Sequence, residues 1–257
     1  MLSSRIILFL FMTIAAGAVY GQSWHNPKFL LTAFQEVALK NEYASGGGYV
    51  RRWEQPVRVW IDHQVADRAL HTELVSKHIE HLSEITGLSI ILVQQRAKSN
   101  LQIMFTRQSA WAHQVESMFG SAAKGVVHGA VCMANIRENK QHEIVQAGII
   151  IPVDQARMHG KLVSCVVEEL TQVLGLPNDS ERVYPSIFND KTPDVLLTGL
   201  DYLLLKMLYH PKLHSGMDSE QVSAQLQTVI RQWQSAGTIA TASRDVKSGQ
   251  LYTLLGY

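Results

Sequence analysis

The run Ile144–Ile151 (IVQAGIII) is apolar at nearly every position. A strand with one wet face alternates apolar and polar side chains; a strand apolar throughout is buried on both faces. Such a strand needs packing layers above and below, so this stretch commits the chain to a layered sheet domain. Pro56–Ile61 (PVRVWI) alternates and is β-branched, and Leu88–Val93 (LSIILV), Leu101–Phe105 (LQIMF) and Gly125–Met133 read as further strands. A period near 3.6 marks helices at Phe29–Leu39, Val65–Ile85, Trp111–Phe119 and Leu162–Leu174. In the second, Leu70, Leu74, Val75, Ile79, Leu82 and Ile85 share one arc and Gly87 ends it. Thr198-Gly199-Leu200-Asp201 spells a capping box for a helix stopped by Pro211. Asp218 caps a last helix carrying Val222, Leu226, Val229, Ile230 and Trp233 and closed by Gly237. The tail from Thr238 is weakly patterned. Strands fall early and helices late, which is an α+β order.

Composition removes several function classes. The 257 residues carry 23 Lys+Arg against 22 Asp+Glu, a formal charge of +1, so no basic excess exists to release counterions from nucleic-acid phosphates. Apolar residues are 46% of the chain, ample for a core, which excludes a disordered tail. Only one long apolar stretch occurs, Ile6 to Val19, shorter than the about 20 residues of a membrane span. With Arg5 ahead of it and Val19-Tyr20-Gly21 after it, residues 1–21 read as a secretory signal cleaved near Gly21; Ala16-Gly17-Ala18 is a second cleavage candidate, and an uncleaved anchor is the competing reading. The expected destination is the periplasm or the medium, with no membrane span after cleavage. Residues 22–48 form a lead-in broken by Ala44-Ser45-Gly46-Gly47-Gly48, the main domain spans 49–217, and 218–257 hold the final helix and tail. Cys132 and Cys165 are the only cysteines; in an oxidising compartment an even count suggests a bridge, the alternative being two buried thiols.

The chemistry-bearing segment is Cys165 to Asp179 (CVVEELTQVLGLPND). On a helix, Val163, Val166, Val167, Leu170, Val173 and Leu174 share an apolar arc, while Glu168 and Gln172, four apart, stack on one polar edge. Glu169 falls beside the apolar arc, where desolvation should raise its pKa. A perturbed carboxylate in a cleft is a functional candidate.

The spacing resembles that of the metzincin zinc peptidases, H-E-x-x-H-x-x-G-x-x-H followed by a turn bearing Met. Glu168 stands at the first His position, Glu169 at the catalytic Glu, Gln172 at the second His, Gly175 at the Gly, and Asn178 at the third ligand with Asp179 beside it. Pro185–Asp190 resembles the Met-turn with Phe188 in place of Met, and Leu197–Tyr209 resembles the helix that follows. The strings EELTQVLGLPND, SIFND, LTGLDYLLLKMLY and HPKLHSGM also resemble a proteobacterial family of unknown function (number 2927), over roughly Tyr49 to Met217. These resemblances imply a metzincin-like (zincin) α+β domain: a mixed, mostly parallel twisted sheet, a long helix after the first strand, an active-site-type helix and C-terminal helices. They also imply that the strand holding His128 is the edge that pairs with a substrate backbone.

All three zinc imidazoles are absent. Glu168, Gln172, Asn178 and Asp179 offer only oxygen, a set suited to Ca²⁺, Mg²⁺ or Mn²⁺ rather than zinc. Without a metal to acidify water, Glu169 is a weak base for amide hydrolysis. His71 and His78 fall within the apolar arc of their helix and His81 lies nearby; they are either core histidines or imidazoles recruited toward the cleft. The expectation is a pseudo-peptidase that binds a peptide or cell-envelope component, with no certain cofactor and a divalent metal as an option. The alternatives are a hydrolase using Glu169 as general base with a different metal site, and a structural assembly factor of the envelope.

Overall fold

The structure is a computed structural model that describes residues 24–40, 48–126, 129–192 and 194–257. The expected signal segment 1–21, most of the expected break at 44–48 and His128 lie outside the described residues. In chain order the elements are α1 (Pro27–Ala38), β1 (Val57–His63), α2 (Arg68–Thr86), β2 (Ile90–Leu92), β3 (Leu101–Thr106), α3 (Trp111–Phe119), β4 (Met133–Glu138), β5 (Ile144–Pro152), α4 (Val153–Met158), α5 (Leu162–Gln172), α6 (Gly199–Leu208), α7 (Ser219–Ser235), α8 (Thr238–Asp245) and α9 (Gln250–Leu254). The strands form one sheet in the order β2-β1-β3-β5-β4. Its first four members run parallel, and β4 pairs antiparallel with β5. The chain is therefore α+β with a mixed, mostly parallel five-stranded sheet.

The apolar run around Ile144–Ile151 sits as expected, with packing on both faces. Ala147, Ile149 and Ile151 enter the main core, while Ile150 joins Met104, Trp111, Val115 and Met133 on the other face. Gly148 lets α3 approach: a Cβ there would stand 2.7 Å from the Met118 sulfur. The main core also takes in α1 through Leu30, Phe34 and Val37, and α7 through Val222, Leu226, Val229 and Ile230. Both capping boxes form, Thr198 with Asp201 and Asp218 with Gln221.

Three expectations are corrected. Among the described residues of the stretch expected as a strand over 125–133, none ahead of Met133 is in a strand: a 3₁₀ segment covers Ser121–Val126, and β4 begins only at Met133. The register explains it. Met133 faces Ile150 and Glu138 faces Ile144, so only Cys132 and Val131 could still face β5, opposite Ile151 and Pro152; residues ahead of them would run past its end, where the chain turns into α4. The tail from Thr238 is helical, with Ile239, Ala242, Val246, Leu251 and Tyr252 buried; elements this short show too few turns for a period to register. Leu70 lies in the first turn of α2 and is exposed, so the buried arc begins at His71.

The cysteines are bridged, with Cα atoms 5.9 Å apart. The bond joins the approach to β4 with the middle of α5. Closing a loop of 33 residues stabilises by about 3–4 kcal/mol in the chain-entropy account.

The C-terminal end of α5 is pinned by residues distant in sequence. Trp53 Nε1 donates to the Val173 carbonyl (2.8 Å) and the Tyr209 hydroxyl donates to the Leu174 carbonyl (2.8 Å). These satisfy acceptors that a helix end leaves open. Gly175 follows at φ +120°, and a Cβ there would stand 1.9 Å from the Arg51 carbonyl oxygen. Gly175→Ala combines a forbidden backbone conformation with a main-chain clash. It should cost roughly 3 kcal/mol or more, read as a large fall in melting temperature or failure to accumulate folded protein.

His71, His78 and His81 are all buried on α2. His78 Nε2 lies 3.0 Å from the Val167 carbonyl and 3.1 Å from Thr171 Oγ1, on the side of α5 that faces the core. Burial pulls His78 down to about 3 and His71 and His81 to about 4, the charges of neighbouring groups adding to it for His78 and His71. The unfolded chain then takes up protons first, so this stability is intact above pH 6.5 and drains away as pH falls toward about 4. His71 stacks on Phe105 with centroids 4.3 Å apart, and neither of its ring nitrogens has a hydrogen-bond partner among the described residues. His71→Leu should flatten the loss of urea-unfolding stability between pH 6.5 and 4 by nearly one proton; an unchanged slope would contradict the assignment.

Candidate functional site

A cavity of about 830 Å³ opens beside β4. One face of α5 lines it at helical spacing, through Lys161, Cys165, Glu168, Glu169 and Gln172. Residues from Cys132 through Ile136 and Glu138 line it from the β4 side, and Pro177, Asp179, Asp190 and Arg51 complete it. The disulfide is therefore part of the lining. Among the described residues β4 is an edge strand, with β5 as its neighbour in the sheet.

The segment beginning with the paired glutamates divides as helical geometry requires. Glu169 is 6% exposed and Gln172 9%, yet both reach the cavity, while Glu168 is half-buried. Gln172 Nε2 donates to Asp179 Oδ1 (2.9 Å), joining helix and following loop across the α5 terminus. Asn178 does not line the cavity. Its side-chain amide donates to the Glu36 carbonyl and to the Asp179 carbonyl, both at 2.9 Å, so it ties the loop to α1. The Asn178 amide is thus directed to the main chain of α1, while Asp179 lines the cavity. Phe188 is fully buried in the main core. The three α2 histidines are absent from the described lining, because α2 packs on the core side of α5.

Glu168, Asp179 and Asp190 each place a carboxylate oxygen so that all three lie within 4.8 Å of one another. Asp190 was not singled out by sequence reasoning, though it ends the Pro185–Asp190 turn. Its signal was a carboxylate two residues past Phe188. The three residues come from a helix, a loop and a turn, so no local spacing connects them. As ligands they are all oxygen, a hard set that fits Ca²⁺, Mg²⁺ or Mn²⁺ and lacks the nitrogen or sulfur that zinc prefers.

The Asp190 turn is held from beneath by a buried carboxylate. Ser186 Oγ donates to Asp201 Oδ1 (2.5 Å), and the amides of Ile187 and Thr198 donate to Oδ2 (3.2 and 2.7 Å). Asn189 Nδ2 donates to the Glu181 and Val183 carbonyls. Burial raises Asp201 to about 6 despite these donors, which act the other way. The fold therefore binds this proton more tightly than the unfolded chain does. Its contribution is full below pH 3.8 and is lost as pH rises to about 6, opposite in sign to the histidines. Asp201→Asn cannot titrate, so its stability should fall more steeply on acidification from pH 6 to 4 than that of the parent protein. Parallel slopes in urea titrations would show that Asp201 is not protonated in the fold.

On the cation side, Arg51 is 7% exposed and its Nη2 donates to the Lys40 carbonyl (2.9 Å). Burial lowers its pKa, with the Glu138 carboxylate opposing that shift. No helix among the described residues is long and apolar enough to cross a membrane.

No curated protein matches the chain. The profile of a family described as protein of unknown function (DUF2927) matches residues 27–228, which takes in α1, the whole sheet, α5, the cavity lining and the first half of α7. That span is well over half of the chain, and the protein belongs to the DUF2927 family.

Proposed function

We propose that this is an exported binding protein built on a metzincin-like domain whose peptidase chemistry has been lost, and that the β4 cleft receives an extended peptide from a cell-envelope partner. The observation that carries the reading is an edge strand bordering an 830 Å³ cavity, with α5 and its glutamates lining the same space. An exposed edge offers a row of backbone donors and acceptors, and an added strand is the usual way to use them. The bridged Cys132–Cys165 pair is compatible with export, and so is a signal at 1–21. Loss of imidazole at the positions of Glu168, Gln172 and Asn178 argues against zinc hydrolysis, leaving Glu169 as a buried polar group of the cleft.

A second reading has its own support. The Glu168–Asp179–Asp190 set would suit a hard divalent cation, and Glu169 beside it would then serve as general base in a metal-dependent hydrolase.

Amide hydrogen exchange separates the two. Unstructured peptides offered to the exported protein should slow exchange across 133–138, and the same peptides N-methylated at alternate residues should not. Glu169→Gln should change affinity by about twofold or less. If the peptides are instead cleaved on addition of manganese or calcium and Glu169→Gln stops the cleavage, the hydrolase reading replaces the binding one. Protection elsewhere on the chain, or none, removes the cleft as a peptide site.

A further inference from the structure

The Cys132–Cys165 bridge lies in the wall of the cleft, and both of its residues line the cavity. Cys132 is half-buried while Cys165 is 1% exposed, so a reagent in the cleft meets the Cys132 sulfur first. Disulfides shut inside a core resist reduction; accessible ones are the labile and regulatory ones. What the bridge holds is a short segment. Gly129, Ala130, Val131 and Cys132 all line the cavity, lie in no helix or strand, and make no backbone hydrogen bond to β5 or α5 among the described residues. The elements on either side have attachments of their own. β4 pairs with β5 from Met133 to Glu138, and the end of α5 is held by Trp53 and Tyr209. β5 also offers the segment a second place. Ile151 and Pro152 lie opposite the positions that Cys132 and Val131 would take if β4 continued in register, yet the ladder stops at Met133. With the bridge closed, Cys132 is fixed to α5; with it open, the segment is released toward solvent or toward an extension of β4.

From this we infer that the Cys132–Cys165 bridge is a redox latch on the cleft: a dithiol reductant opens it in the folded protein, residues 129–132 leave their place in the wall, and the cleft loses affinity for its peptide. The last step rests on the peptide-binding reading above and names the regulation of that site. The chemistry is thiol–disulfide exchange. A thiolate of the reductant attacks Cys132 Sγ; the sulfur–sulfur bond breaks and its electron pair leaves on Cys165 Sγ, which takes up a proton. The second thiolate of the reductant then attacks the reductant's own sulfur in the mixed disulfide, and the pair leaves on Cys132 Sγ, which is protonated in turn. The protein gains two electrons and two protons, and the dithiol is oxidised to its disulfide. The co-reactant is of the class carried by Cys-x-x-Cys proteins, whose lowered thiol pKa supplies the attacking thiolate. Wall residues that the closed bridge keeps in order must then be ordered by the ligand, and that entropy is lost from binding.

The test compares the full exported chain before and after treatment with dithiothreitol under native conditions, with Cys132→Ser/Cys165→Ser as a permanently open form. Thiols are counted by alkylation and mass spectrometry, the fold is followed by circular dichroism, and the stretch between α3 and β4 is probed by limited proteolysis. Affinity for an unstructured peptide of high β-propensity is measured by fluorescence anisotropy. On reduction both cysteines should become alkylated while the spectrum is kept. Nicking between α3 and β4 should accelerate about tenfold, and peptide affinity should fall about tenfold and return on reoxidation. The double-serine variant should match the reduced parent. Alkylation only after denaturant is added, loss of the spectrum on reduction, or equal nicking in the two forms would each overturn the latch and leave a structural staple. Equal or tighter peptide binding by the reduced protein would overturn the inference and leave the peptide-binding reading standing. Peptide bound by neither form would overturn the peptide-binding reading and the inference with it, the failure of the oxidised protein marking which of the two had given way.

Discussion

The end of α5 is the point on which the cleft depends. A helix terminus leaves carbonyls without partners, and here two of them are taken by Trp53 Nε1 and the Tyr209 hydroxyl. Gly175 then lets the chain pass against the Arg51 carbonyl where no side chain would fit. These contacts come from residues more than thirty positions away in either direction, so the helix end is a junction between the segment ahead of β1, α5 and α6. Because the loop to Asp179 starts there, the junction determines where Asp179 lies relative to Glu168. The disulfide does the same for the other side, tethering the start of β4 to Cys165.

A second buried arrangement supports the third carboxylate. Asp201 performs two tasks with one side chain: it closes the capping box of α6 and accepts hydrogen bonds from Ser186 and Ile187 in the turn that ends at Asp190. The cost of placing a carboxyl group in the core appears as a raised pKa, and the core histidines carry the opposite shift for the same reason. Stability on acidification is the balance of those two signs. The histidines are behind α5 because α2 packs on its core face, so they belong to the core and are absent from the described lining of the cleft.

Much of the scaffold was legible because its signals are local. The apolar run at Ile144–Ile151, the arc from His71 to Ile85, the boxes at Thr198 and Asp218 and the helix at Trp111–Phe119 each follow from the spacing of neighbours in sequence. The stretch expected as a strand over 125–133 has an apolar, β-branched composition, but the register of β4 leaves β5 only two further positions ahead of Met133. The helical tail was missed because its burial is decided by α2 and α6, not by its own period. At the site, Glu168, Glu169 and Gln172 could be put on one side of a helix from spacing alone, whereas Asn178 and Asp179 could not be told apart, since a loop has no fixed period.

The sequence by itself determined that this chain has a layered α+β core, two cysteines suited to a bridge, and a helix carrying the pair Glu168 and Glu169 with Gln172 four residues after the first. Those properties are carried by periodicity, residue chemistry and short spacings, which survive without knowledge of the fold. Only the tertiary structure decided that Asp190 comes beside Glu168 and Asp179, that the α2 histidines face the core, and that β4 is an edge of the sheet among the described residues, beside the cavity. Those facts depend on which distant segments pack against each end of α5. Such packing is set by close approach and by the need to satisfy buried polar groups, and neither leaves a repeating mark along the chain.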